Sequence, residues 1–131
     1  MVRVCHGSPR GDTECVTVAT PETPVREFVA DVEEMTVATA HTHVQFDRRV
    51  ADIRSLNPGS VGLPYEGQPG AFWALLGPDV EFRRTEYDLS ETIAAYRETD
   101  DPACAQMVEM LEQPPTPEEL IAHAEKIVFS D

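Results

Sequence analysis

Met35-Thr36-Val37-Ala38-Thr39-Ala40-His41-Thr42-His43 opens on six uncharged residues and ends in a His-x-His pair. A short run with no charge and no polar alternation reads as a strand buried on both faces, the kind found in α/β sheets covered by helices. The strand hands directly over to the two histidines. In α/β sheets the loops at strand ends are where sites are built.

The same pattern recurs on either side. Upstream, the β-branched run Val2-Arg3-Val4-Cys5 predicts a strand that stops at His6-Gly7-Ser8-Pro9, because Gly and Pro end it. His6 therefore also stands where a strand becomes a loop. Between the two strands, Thr20-Pro21 and Thr23-Pro24 each offer an N-cap followed by proline at the first helical position. Val25, Phe28, Val29 and Val32 follow at the spacing of an amphipathic helix.

Downstream, Val50 to Leu56 reads as one further strand, closed by Asn57-Pro58-Gly59-Ser60. Ala71 to Leu76 and Val80 to Tyr87 flank Gly77-Pro78-Asp79, a hairpin signature. The tail reads as helical. Asp88 and Glu91 suggest a capping box before Ile93, Asp101-Pro102 starts a short helix, and Thr116-Pro117-Glu118-Glu119 starts another with cap, proline and reciprocal glutamate. The tail carries no identifiable chemistry.

The chain has 131 residues, enough for one domain spanning 1–131. At 41% hydrophobic and 26% charged, its composition is that of an ordinary folded protein. A formal net charge of −14 repels polyanions unless basic residues cluster, and Arg48-Arg49 and Arg83-Arg84 are only short pairs. Duplex nucleic acid is therefore not an expected partner. The apolar runs fall far short of the roughly 20 residues of a membrane span, so no membrane is expected. The start, Met1 to His6, has no apolar segment followed by a cleavage site. The expected compartment is the cytoplasm. Three cysteines, Cys5, Cys15 and Cys104, without CxxC spacing fit reduced thiols there. Cys5 stands beside His6, but a free cysteine in a strand is more often a small buried hydrophobe than a nucleophile or ligand.

His6, His41 and His43 are the candidates for metal ligation. Imidazole suits Zn, Mn and Fe, and His-x-His starts two such side chains close together. The bland reading is that they are ordinary loop histidines. Asn57 is either an orienting or phosphate-contacting group, or a plain turn residue.

In order, His6-Gly7, Ala40-His41-Thr42-His43 and Asn57-Pro58-Gly59-Ser60-Val61-Gly62 resemble the second half of the calcineurin-like metallophosphoesterases. The match is to their small bacterial and archaeal branch, which ends in a hairpin like Phe72 to Leu76. The resemblance covers residues 2–88 and leaves 89–131 as a helical tail. It implies an α/β fold, part of an αββα sandwich with a mixed sheet and flanking helices. It also implies that His6 and His41 ligate one divalent ion and His43 another. The resemblance further implies a pair of Mn, Fe or Zn ions that would activate a water for attack on a phosphate monoester or diester.

The sequence departs from the pattern in two places. Alanine 40 stands where the family has glycine. The family's Asp-x-His and Asn-His motifs do not occur in the chain, and its one Gly-Asp, Gly11-Asp12, follows His6-Gly7, whereas the family's bridging-aspartate Gly-Asp precedes that motif. Asp12, Glu14 and Asp47 lie near the surviving motifs, and surface charge is the use expected of them. Three readings stay open. One is a half-site completed by a second chain or by self-association, in a split or truncated enzyme. Another is a non-catalytic domain in which the three histidines hold one ion or which binds a partner. The last is an inactive fragment.

Overall fold

A computed structural model describes residues 1–128 of the chain. The run that opens at Met35 is β2 of a four-stranded sheet. Its strands are β1 (Val2–Val4), β2 (Thr36–Ala38), β3 (Phe46–Val50) and β4 (Ile53–Asn57), in the order β1-β2-β4-β3. Helix α1 (Glu22–Phe28) connects β1 to β2. Strands β1, β2 and β4 are parallel, with Val4 opposite Ala38 and Ala38 opposite Leu56. Strand β3 is antiparallel to β4. The sheet is thus mixed, and β2 is interior as its uncharged sequence requires.

The reading of one strand from Val50 to Leu56 is corrected by this topology. The segment is the second half of a tight hairpin, turned at Ala51-Asp52, whose first strand starts at Phe46. Asp47, Arg48 and Arg49 disguise β3 as loop. Their charges are accommodated locally. Arg54 chelates Asp47 at 2.6 and 2.8 Å, and Arg48 donates to the carbonyls of Val18 and Thr20 at 2.7 Å.

Helix α1 packs on one face of this sheet. Val25, Phe28 and Val29 meet Val16, Val37, Phe46 and Val50 in one buried cluster, with Cys5, Val32 and Ile53 at its margin. Burying each such side chain contributes roughly 1.5–3 kcal/mol. The helix is capped otherwise than the two Thr-Pro pairs suggest: it begins after Pro21 with no side-chain cap. The hydroxyl of Thr20 instead donates to Glu125 at 3.0 Å and accepts from the Thr17 amide at 2.9 Å.

A second, two-stranded sheet follows, β5 (Ala71–Leu76) and β6 (Val80–Thr85), antiparallel as the hairpin signature predicts. It is tied to the loop after β4. The Phe72 amide donates to the Ser60 carbonyl at 2.9 Å, and the Gln45 amide group donates to the carbonyls of Pro58 and Trp73 at 3.0 Å. Helices α2 (Ser90–Arg97) and α3 (Cys104–Glu112) form their own cluster through Ile93, Val108 and Leu111, against which Leu63 packs. Helix α4 (Pro117–Val128) starts with a reciprocal capping box. Thr116 donates to Glu119 at 2.9 Å through its amide, and the Glu119 amide returns to Thr116 at 3.3 Å. In α2, Asp88 accepts only from the Ser90 amide, so the box expected with Glu91 is half formed. The mixed sheet with flanking helices and a helical tail is the expected α/β class. No helix among the described residues is long and apolar enough to cross a membrane.

Candidate metal centre

The three parallel strands end together, and each delivers a residue of interest just past or at its C-terminal end: His6 after β1, His41 and His43 after β2, Asn57 closing β4. The ladder continues beyond the strands. The Cys5 amide donates to Ala38 at 3.0 Å, Ala40 to His6 at 2.7 Å, and Thr39 to Leu56 at 2.8 Å. This extension sets the loops holding His6 and His41 side by side.

Nε2 of His6 lies 2.9 Å from Nδ1 of His41, with the rings edge to face. Two ring nitrogens this close either share one proton or converge on a common electrophile. Cis ligands at metal–nitrogen distances of about 2.0–2.1 Å stand about 3 Å apart. Burial lowers the pKa of His41 below the usual histidine value, and the nearby His6 and His43 lower it further, against an opposing pull from Asp12. The surroundings favour neutral imidazole, the form that ligates.

His43 faces elsewhere. Its Nδ1 is 2.8 Å from the Leu63 carbonyl. A carbonyl accepts only from N–H, so the proton sits on Nδ1 and the lone pair is left on Nε2. Tyr65 stacks on the imidazole with ring centroids 5.0 Å apart and planes 24° apart, and its amide donates to the His43 carbonyl at 3.1 Å. Among the described residues no three His, Cys, Asp or Glu side chains close around a single point. The arrangement that would let all three histidines hold one ion is therefore not the one present.

The backbone between the histidines is unusual. His41 and His43 have φ of 58° and 57°. The Thr42 amide donates to the Ala40 carbonyl at 2.6 Å, closing a γ-turn centred on His41. The positive-φ form of that turn is rare and strained. Such residues cost about 1–3 kcal/mol each and persist where surrounding structure fixes them. Ala40 is not among the positive-φ residues, so its methyl group does not strain the backbone there.

Asn57 supplies much of that fixing. Its side chain is fully buried and donates to the Ala40 carbonyl at 2.6 Å and to the Thr42 hydroxyl at 3.0 Å, while accepting from the Gly59 amide at 2.9 Å. Both ends of the amide are engaged within the chain. In this structure Asn57 acts on the histidine turn. Glycine 7 fixes the other histidine's loop: a Cβ there would lie 2.7 Å from the carbonyl oxygens of Glu14 and Gly11. Glu14 is taken up by Arg10 and Ser8, and Asp47 by Arg54. Cys5 packs at the margin of the core, where burial pushes its thiol pKa up. Sequence reasoning did not reach Leu63, Thr42 and Tyr65. A backbone carbonyl leaves no mark in sequence, and a tyrosine in a Pro-Tyr-Glu-Gly loop carries no signal of what it stacks on.

No protein-family model matches the chain, and no curated protein does. Solved structures do. A metallophosphoesterase from Sphaerobacter thermophilus superposes with a TM-score of 0.70 at 27% identity, over 82% of this chain and 54% of its own. A hypothetical protein from Pyrococcus horikoshii OT3 superposes with a TM-score of 0.70 at 20% identity, over 88% of this chain and 47% of its own. The chain spans about half the length of each of these two structures. It shares its fold with a metallophosphoesterase.

Proposed function

We propose that this chain forms the histidine-bearing part of a metal-dependent phosphoesterase acting on a small phosphate monoester or diester. The observation that carries this reading is the pair His6 Nε2 and His41 Nδ1, 2.9 Å apart at the C-terminal ends of parallel strands, on a fold shared with a metallophosphoesterase. The donor set fits divalent ions of the Mn, Fe or Zn kind. His6 and His41 would hold one ion between them, and His43, with its proton kept on Nδ1, would offer Nε2 to another. When bound, the metals supply an activated water and a Lewis acid for the phosphoryl oxygen. The chain's own contribution is positional. His41 is kept neutral by its burial, and Asn57 and Thr42 hold the turn from which both loop histidines project.

Three histidines do not complete a two-metal site, so the reading calls for further ligands from polypeptide outside these residues, a second chain or a self-associated copy among the sources. The outer edge of β1 favours this. Val2 and Val4 are exposed there, with Met1 and Met35 beside them. An open apolar edge is a place where another strand adds. The free state of Cys5, Cys15 and Cys104 agrees with a reducing compartment such as the cytoplasm.

Metal content after loading with Mn²⁺ and removal of excess is the direct test. About two ions per chain, with Mn²⁺-stimulated hydrolysis of bis(p-nitrophenyl) phosphate or p-nitrophenyl phosphate, is the expected result for the completed site. The assay is run on the chain alone and with a polypeptide carrying the part of the Sphaerobacter enzyme that this chain does not span. No metal retained and no hydrolysis in either mixture would refute the reading.

A further inference from the structure

We infer that Tyr65 is a positioning residue for His43, holding the imidazole so that its proton stays on Nδ1 and its Nε2 lone pair stays available. The inference deepens the metal-site reading of His43 and rests on it for its purpose, though not for its geometry.

Three contacts converge. The phenol ring lies nearly parallel to the imidazole at 5.0 Å, which restricts rotation of the histidine about χ2. The Tyr65 amide donates to the carbonyl of His43 itself at 3.1 Å, so ring and backbone of one residue hold ring and backbone of the other. Two residues earlier in the same loop, Leu63 presents the carbonyl that takes the Nδ1 proton at 2.8 Å. Partners of this kind, on the nitrogen away from the metal, set the tautomer and orientation of ligating histidines.

The loop that provides these contacts is itself fixed on both sides of Tyr65. The Leu63 amide donates to the Ser60 hydroxyl at 3.1 Å, the Glu66 carboxylate accepts from the Gln45 amide at 2.5 Å, and the Gly67 amide donates to the Pro115 carbonyl at 2.9 Å. Leu63 also packs against the cluster of α2 and α3. The helical tail thus reaches the histidine through one loop. Any residue but proline would make the backbone bond, so what the tyrosine itself adds is the near-parallel stack on the imidazole.

The test is made on the metal-free protein at a pH above the ordinary histidine value of about 6.5, where imidazole is neutral. Long-range proton–nitrogen NMR correlations read the tautomer of each histidine directly. Wild type and Tyr65→Phe, which keeps the ring, are expected to show His43 as a single Nδ1–H form. Tyr65→Leu, which keeps apolar volume but not the stack, is expected to lose that single form and show both tautomers in exchange, with the His6 and His41 signals unmoved. Tyr65→Ala is the second variant, and the backbone amide spectrum reports that each variant is folded. An unchanged His43 spectrum in both Tyr65→Leu and Tyr65→Ala overturns the inference, as does a wild-type His43 protonated on Nε2. The readout needs neither metal nor turnover, so a failure of the phosphoesterase reading leaves it standing; unchanged spectra in the two variants leave that reading untouched, whereas a wild-type His43 protonated on Nε2 also removes its second metal ligand.

Discussion

Truncating Asn57 to alanine is the perturbation that bears most directly on how the site is built. The side chain makes three hydrogen bonds from a fully buried position. They are not equally costly to lose. The Ala40 carbonyl keeps the Thr42 amide at 2.6 Å, and the Thr42 hydroxyl keeps the Val16 carbonyl at 3.4 Å. Each of these two losses is therefore worth the ordinary net value of about 0.5–1.5 kcal/mol. The Gly59 amide has no such substitute, and orphaning a donor costs about 1–3 kcal/mol. Gly59 is only half-buried and water reaches part of it, so the expected total is about 2–4 kcal/mol. That is a large share of the roughly 5–15 kcal/mol by which a domain is stable.

The measurement is urea denaturation followed by circular dichroism and by fluorescence of Trp73, the one tryptophan. Asn57→Asp sharpens it. An aspartate would set an oxygen against the Ala40 carbonyl in a site without solvent, and both effects raise its folded-state pKa above the unfolded value of about 3.9. A raised carboxylate pKa means the folded state prefers the proton. The variant is then most stable at acid pH and loses stability as pH rises through the folded value. A loss below about 1 kcal/mol for Asn57→Ala, together with no pH-dependent loss in Asn57→Asp, would refute the account of this turn.

Two further outcomes follow from the same geometry. Because the pKa of His41 is lowered in the fold, the unfolded chain takes up a proton that the folded one resists, so stability falls as pH drops below about 6.5 and stops falling beneath the folded value. His41→Gln removes that part of the slope, and identical acid limbs for the two proteins in pH-dependent urea midpoints would contradict it. Gly7→Ala drives a Cβ into the backbone of residues 11, 12 and 14 at 2.7–2.8 Å, none of which is the end of a flexible side chain. It is expected to cost about 1–3 kcal/mol and several degrees of Tm, measured by calorimetry.

What the sequence made legible was whatever local physics decides. An uncharged run between a helix and a His-x-His had to be an interior strand, and Thr116 to Glu119 had to cap a helix. The hairpin at Gly77-Pro78-Asp79 was equally plain. Strand β3 was hidden because Asp47, Arg48 and Arg49 find their partners in Arg54 and in loop carbonyls, and because its turn, Ala51-Asp52, contains neither glycine nor asparagine. The start of α1 departs from the Thr-Pro signal because Thr20 spends its hydroxyl on Glu125, a residue 105 positions away. The histidines could be named as candidates from their places at strand ends. What orients them could not, since it consists of the Leu63 carbonyl, the Asn57 side chain and the face of Tyr65, each brought in by tertiary structure.

The division of labour between His41 and His43 follows from the backbone and not from their spacing. In an extended strand, residues two apart project from the same face. Here both have positive φ, and a single buried threonine stands between them. Thr42 cannot turn outward without giving up the hydrogen bond from Asn57, and the γ-turn it closes sets His41 against His6. The second positive φ then sets His43 toward Leu63 and Tyr65. Two strained residues at about 1–3 kcal/mol each would relax if nothing opposed them. The buried Asn57–Thr42 pair is what opposes them, so a fully buried residue governs where both imidazoles point. Loss of Asn57 should therefore disturb the two histidines together, whereas loss of Tyr65 should disturb His43 alone.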